Sequence, residues 1–170
     1  MTGVDAVTGT DAVNPDATNP DDGDPGPAWV PTADVAWVPT GPGTAFRPLR
    51  FWEGGWSELM RLEPGAAVAR HRHTGAVDAY VLEGTRLLPS GERFGPGGYQ
   101  HEPAGTVDSW SAMGTGPCVV HLRIEGDIEY LDPGGTVTSV VNSTTQAAVY
   151  RRWCEATCTA ERAEREETTP

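Results

Sequence analysis

Gly65-Ala66-Ala67-Val68-Ala69-Arg70-His71-Arg72-His73 is the stretch on which the reading of this chain turns. Side chains two residues apart on a β-strand share a face, so His71 and His73 point together while Arg70 and Arg72 point away. Their neighbours on the imidazole face, Ala67 and Ala69, are small. Two imidazoles converging inside a barrel are costly to bury alone, and a shared metal ion satisfies both. The competing reading is a solvated strand, polar throughout. A short His-x-His match does not by itself separate the two.

Outward from this stretch lies a run of short strands. Segments 47–51, 56–62, 67–73, 79–82, 86–88, 98–102, 108–112, 118–124, 128–131 and 136–140 carry the β pattern. Turns such as Glu53-Gly54-Gly55, Glu63-Pro64-Gly65, Pro89-Ser90-Gly91 and Asp132-Pro133-Gly134-Gly135 punctuate them. Many short strands at regular spacing predict an antiparallel sandwich or barrel. Ahead of them, Ala28-Trp29-Val30-Pro31-Thr32 returns as Ala36-Trp37-Val38-Pro39-Thr40. Each copy fits an edge strand, where a proline costs no ladder hydrogen bond. After residue 142 the period changes. Ser143 or Thr144 can cap a helix, and Gln146 to about Glu164 lacks Gly and Pro. Val149, Tyr150, Trp153 and Cys154 form one apolar stripe along it. Residues 1–27 hold Asp5, Asp11, Asp16, Asp21, Asp22 and Asp24 with no basic or aromatic residue, and are expected to be a disordered acidic tail. The expected organisation is thus a tail over 1–27, a β-barrel over 28–142, and a helix with a frayed end over 143–170.

Composition narrows the function. The 170 residues make one domain, and 12 Lys+Arg against 24 Asp+Glu give a net charge of −12. Such a balance carries no basic footprint for nucleic acid or anionic lipid. Every basic residue is Arg, which excludes a lysine Schiff base, a P-loop lysine and pyridoxal-phosphate catalysis through lysine. There is no apolar run near the ~20 residues of a membrane span. The start, MTGVDAVTGTDAV, lacks the charged and apolar regions of a secretory signal. An odd set of cysteines, Cys118, Cys154 and Cys158, suits a reducing cytoplasm, with the last two packing on one helix face.

The surrounding residues resemble the two cupin motifs. Gly65, His71, His73, Asp78 and Gly84 match the first, with the last gap one residue short. Gly97, Pro103 and Gly105 fall in register with the second, where Asp108 takes the histidine position and Ala112 the asparagine position. Arg70-His71-Arg72-His73-Thr74-Gly75, Tyr80-Val81-Leu82-Glu83-Gly84 and Tyr99-x-His101-Glu102-Pro103-Ala104-Gly105-x-Val107 are similar to one group. That group comprises 2,4′-dihydroxyacetophenone dioxygenase and the acetylacetone-cleaving dioxygenase, related to the cupin part of ChrR-type anti-sigma factors. The similarity runs from about Trp37 to Tyr150. It implies an all-β double-stranded β-helix, the cupin jelly roll, with a C-terminal α-helix.

The resemblance also implies a site. Family members hold a non-haem iron(II) on three histidines, of which His71 and His73 correspond to two. The third position is Asp108, giving a 2-His-1-carboxylate set that suits iron(II) oxygen chemistry. Alternatively Asp78, in the region of the general cupin carboxylate, takes the third place, or metal binding is lost. Zinc, manganese and nickel are the alternative ions. Glu102 matches an acid that supports the site from outside the ligand set, and Asp78 or Asp108 could serve as general base. By alternation either His101 or Glu102 faces inward, with His101 expected outside. His121 is placed at the pocket mouth. Tyr80, Trp110 and Met60 are core residues first, and second the walls of a pocket for an aromatic or polyketide-like small molecule. The implied activity is a dioxygenase that cleaves a carbon–carbon bond of a diketone or hydroxyketone with O2. The competing activities are a non-oxidative, zinc-type cyclase or isomerase of secondary metabolism and a ligand-binding sensor cupin.

The helix stripe and the paired Trp-Val-Pro-Thr segments leave apolar edges for a second copy. A homodimer, or a multiple of one, is expected from light scattering at micromolar concentration, and a monomer mass there contradicts it.

Overall fold

The computed structural model describes residues 31–167. The acidic tail and most of the first Trp-Val-Pro-Thr copy lie outside the described residues. Twelve strands follow a short 3-10 turn: β1 (Val38–Gly41), β2 (Thr44–Trp52), β3 (Gly55–Leu62), β4 (Ala67–His73), β5 (Val77–Glu83), β6 (Thr85–Leu87), β7 (Arg93–Phe94), β8 (Tyr99–Glu102), β9 (Val107–Met113), β10 (Cys118–Glu125), β11 (Ile128–Leu131) and β12 (Val137–Val141). One helix, α1 (Ser143–Glu167), closes the chain.

The strands form two six-stranded sheets, ordered β1-β2-β3-β10-β5-β8 and β12-β11-β4-β9-β6-β7. The pairings are antiparallel, and consecutive strands repeatedly leave one sheet for the other, as a jelly roll requires. The second Trp-Val-Pro-Thr copy supplies β1, which lies at a sheet edge as its Pro39 demands.

Alternation builds the core. On β10, Val120, Leu122 and Ile124 face in; on β3, Trp56 and Leu62; on β5, Val77, Ala79 and Val81. Cys118 packs among them, and burial pushes its thiol up to about 11, which leaves it inert. Alternation breaks on β4. The ladder to β9 shifts register between Val68 and His71, so Val68 is buried in place of the expected Ala67 and Ala69, which stay exposed. The bulge resets the phase ahead of the histidines.

The helix starts one residue earlier than either expected cap allows. Asn142 caps it: Thr145 N donates to Asn142 Oδ1, and Asn142 N donates to Thr145 Oγ1. Gln146 and Ala147 are buried, while the stripe of Val149, Tyr150, Trp153 and Cys154 is only half-buried. No helix among the described residues is long and apolar enough to cross a membrane.

Gly84, between β5 and β6, has φ +71°, and a Cβ there would stand 2.2 Å from the Pro117 carbonyl oxygen. Gly91 has φ +88° with nothing within 4 Å. Gly91→Ala should therefore cost about 1 kcal/mol, from backbone strain alone. Gly84→Ala adds a backbone clash and should cost at least about 3 kcal/mol in urea denaturation. Equal costs would contradict this packing.

Candidate functional site

Both histidines of the opening stretch face the interior. His71 and His73 are buried, with ring centroids 4.8 Å apart and planes 28° off parallel. The His71 Nδ1–H donates to the Ala69 carbonyl at 2.8 Å, which leaves Nε2 as the bare nitrogen. His73 Nδ1 approaches Glu102 Oε2 at 3.2 Å. The approach is off the hydrogen-bonding direction, so both atoms stay buried without a hydrogen-bond partner. Burial holds both imidazoles neutral. It lowers His71, against the pull of the Ala69 carbonyl, and lowers His73 to about 4, with His71 and Arg86 adding to the effect.

Arg86 organises the other half of the site. From β6 its Nη2 donates to Glu102 Oε1 at 2.8 Å and to Asp108 Oδ2 at 2.6 Å, and Nη1 donates to Gln100 Oε1 at 2.8 Å. The guanidinium carbon lies 5.1 Å from the centre of the Trp110 ring. Burial raises the Glu102 carboxyl, and Arg86 pulls it back toward the charged form. Removing Arg86 would leave two carboxylates uncompensated, a loss of about 3–5 kcal/mol for a broken buried pair.

Of these groups, His71, His73, Arg86 and Glu102 border a cavity of about 440 Å³. Its walls are apolar, with Trp56, Met60, Trp110, Leu122, Ile124 and Tyr130, and its polar groups are few. One is Glu58, the inward residue between Trp56 and Met60 on β3. Trp56 Nε1 donates to Glu58 Oε2 at 3.0 Å, and Gln146 Nε2 from α1 donates to the same oxygen at 2.9 Å. Burial raises the Glu58 carboxyl to about 7, while the two hydrogen bonds oppose the shift.

The expected site residues separate into groups. His71, His73 and Glu102 come together at the cavity. Asp108 stands directly across from His71 in the β4–β9 ladder, with one oxygen taken by Arg86. Asp78 does not join them. It points from the outer face of β5, where Tyr99 Oη donates to Asp78 Oδ1 at 2.6 Å and His101 Nδ1 lies 2.8 Å from the same oxygen. The alternation of β5 sends Val77 inward instead, so Asp78 reaches neither the cavity nor the histidines. Glu102 faces in and His101 out. His121 is also on an outer face, 2.8 Å from Ser57 Oγ, and not at the pocket mouth. Met60 and Trp110 are cavity walls, whereas Tyr80 is exposed outside. Arg86 and Glu58 were absent from the expected set. Glu58 carried a signal, as the one charged residue in the inward series Trp56, Glu58, Met60, Leu62. Arg86 sits on a strand of three residues, too short for alternation to mark its side.

A divalent ion fits the donors in part. Two neutral imidazoles are the form in which histidine ligates, and the bond from His71 Nδ1 to the Ala69 carbonyl leaves Nε2 as its ligating atom. A third donor does not assemble: among the described residues no group of three His, Cys, Asp or Glu is placed to hold an ion. Arg86 is the reason, since it engages both nearby carboxylates.

The model of the ChrR cupin-like domain matches residues 25–122. The chain belongs to this cupin family. Among solved structures, an RmlC-like cupin protein of Ralstonia eutropha superposes with a TM-score of 0.68 at 22% identity, over 73% of this chain and 84% of that one. The acetylacetone dioxygenase of Acinetobacter johnsonii gives 0.63 at 15%, over 68% and 85%. The Rhodobacter sphaeroides SigE complex with the anti-sigma factor ChrR gives 0.50 at 24%, over 54% and 50%. At these identities the likenesses establish the cupin fold alone. No curated protein matches the chain.

The Glu58 carboxyl, raised from 4.5 to about 7, takes up a proton on folding. Its contribution is favourable below its ordinary range and is lost as pH rises through 7. Wild type should therefore lose stability relative to Glu58→Gln, on the order of 3 kcal/mol between pH about 4.5 and about 8. His73 works oppositely, losing stability as pH falls from 6.5 toward 4. It cancels in the difference between the two proteins. Parallel urea-denaturation curves across that range contradict the buried acid.

Proposed function

We propose that this chain is a metal-dependent cupin enzyme acting on a small diketone or hydroxyketone inside the barrel, with iron(II) and O2 as first choice. One observation carries the reading: two adjacent buried imidazoles, held neutral, border an apolar-walled cavity of about 440 Å³. Bare imidazole nitrogens in that setting serve a cation far better than a hydrophobic ligand. The likeness to an acetylacetone dioxygenase supports the choice of substrate class. An ion held by His71 and His73 would supply Lewis acidity and a template for oxygen, and Asp108, across from His71, would complete the set on leaving Arg86.

The chain's own groups have separate tasks. Glu102 lies 3.2 Å from His73 Nδ1, where it would orient that ring when an ion is held. Arg86 holds Glu102 and Asp108 in place and offsets their charge. Trp56, Met60, Trp110 and Leu122 exclude water around a flat, apolar substrate.

The double engagement of Arg86 favours one other reading, a non-oxidative cyclase or isomerase in which the fixed guanidinium replaces the ion and Asp108 acts as base. Oxygen uptake on added iron(II) separates the two.

Metal analysis of tag-free protein should give about one divalent ion per chain, and His71→Ala/His73→Ala should lose it. Asp108→Asn should weaken binding at least about tenfold, and Asp108→His should retain iron. Full occupancy in the double variant overturns the ligand pair. Unchanged iron in Asp108→Asn with a turnover loss of about 10²–10⁴ makes Asp108 a base instead.

A further inference from the structure

Glu58 comes from β3, whereas His71 and His73 on β4 and Arg86 on β6 belong to the other sheet. The cavity thus receives polar groups from both sheets, and the hydrogen bonds of Glu58 go to neither the histidines nor Arg86.

The way Glu58 is held leaves one oxygen available. Both of its hydrogen bonds, from Trp56 and from Gln146, end on Oε2. Oε1 accepts neither. It is not among the buried atoms sealed off without a partner, as Arg86 Nε and Glu102 Oε2 are. Glu58 borders the cavity, so Oε1 is reachable from it. Two donors on a single oxygen fix the carboxyl plane and prescribe where a proton resides, on Oε1. The side chain is 2% exposed, and among the described residues no cation is paired with it. An ionised carboxylate in that position carries a large desolvation cost.

We propose that Glu58 is a ligand-facing acid of the cavity, whose Oε1–H donates a hydrogen bond to a carbonyl oxygen of the bound molecule from the sheet opposite the histidines and Arg86. Its carboxyl, raised to about 7, is substantially protonated at neutral pH, which agrees with a donor role. Gln146 makes the last helix part of the site, since α1 supplies one of the two bonds that aim the acid. A ligand is then selected for a carbonyl at this end: an alkyl or ammonium group here would leave the acid unpaired or find no anion.

The proposal rests on the reading that a carbonyl compound enters the cavity, but it needs no ion, so its test is separable from metal loading. The full chain, before metal addition, is titrated with acetylacetone at pH 6 and followed by difference infrared spectroscopy. A carbonyl stretch of a protonated carboxyl should be present in wild type, absent in Glu58→Gln, and shifted as acetylacetone saturates. Gln keeps the two anchoring bonds through its oxygen and presents an N–H to the cavity, so its affinity should stay within about threefold of wild type. Glu58→Met, similar in volume but with no donor, should bind about tenfold more weakly, the loss of one hydrogen bond. An unshifted band in saturated protein, or undiminished affinity in Glu58→Met, overturns the proposal. So does the absence of binding at millimolar acetylacetone, while iron retention by His71 and His73 reports independently on the metal reading.

Discussion

Arg86 enters the barrel from β6 and is bound on three sides, by Glu102, Asp108 and Gln100, with the Trp110 ring nearby. A buried guanidinium is tolerable only if its charge is met, and two carboxylates meet it. That bond fixes the rest of the site. Glu102, held by one oxygen, turns the other toward His73 Nδ1. Asp108, held by Oδ2, is kept across from His71. The histidines then lie in a pocket too dry to charge them.

The same economy appears on the opposite sheet of the cavity. Glu58 is anchored through one oxygen by a tryptophan of its own strand and a glutamine of the terminal helix. Helix docking is therefore part of the cavity's construction. Of the three carboxylates, Glu102 and Asp108 share Arg86, while Glu58 is held by Trp56 and Gln146, and the roles proposed for them differ accordingly. Environment rather than residue type separates their roles.

Much of this was legible in the sequence, and the exceptions have physical causes. The segments 67–73 and 128–131 coincide with β4 and β11, because alternation and flanking turns agree there. His71, His73 and Glu102 follow from period-2 reasoning and from the cupin spacing. Asp78 misled because motif spacing alone does not fix which face of a strand a residue takes, and a one-residue shift exchanges the faces. Val77 took the inward place. The bulge before His71 was invisible, since Ala67, Val68 and Ala69 differ too little in size to show which one is buried. Arg86 could not be found from a strand of three residues, and its partners come from strands distant in sequence. Glu58 was legible in principle, as a charge on an apolar face.

The central claim is that His71 and His73 are neutral inside the barrel, with the His71 Nδ1 proton given to the Ala69 carbonyl and its Nε2 left bare. Long-range proton–nitrogen correlation spectroscopy of the histidine rings tests this directly on the metal-free chain. The structure predicts two uncharged rings at neutral pH, His71 in the Nδ1–H form, with the His73 ring still uncharged as pH falls well below 6.5 toward about 4. An imidazolium on either ring, or an Nε2–H tautomer of His71, at neutral pH would contradict it.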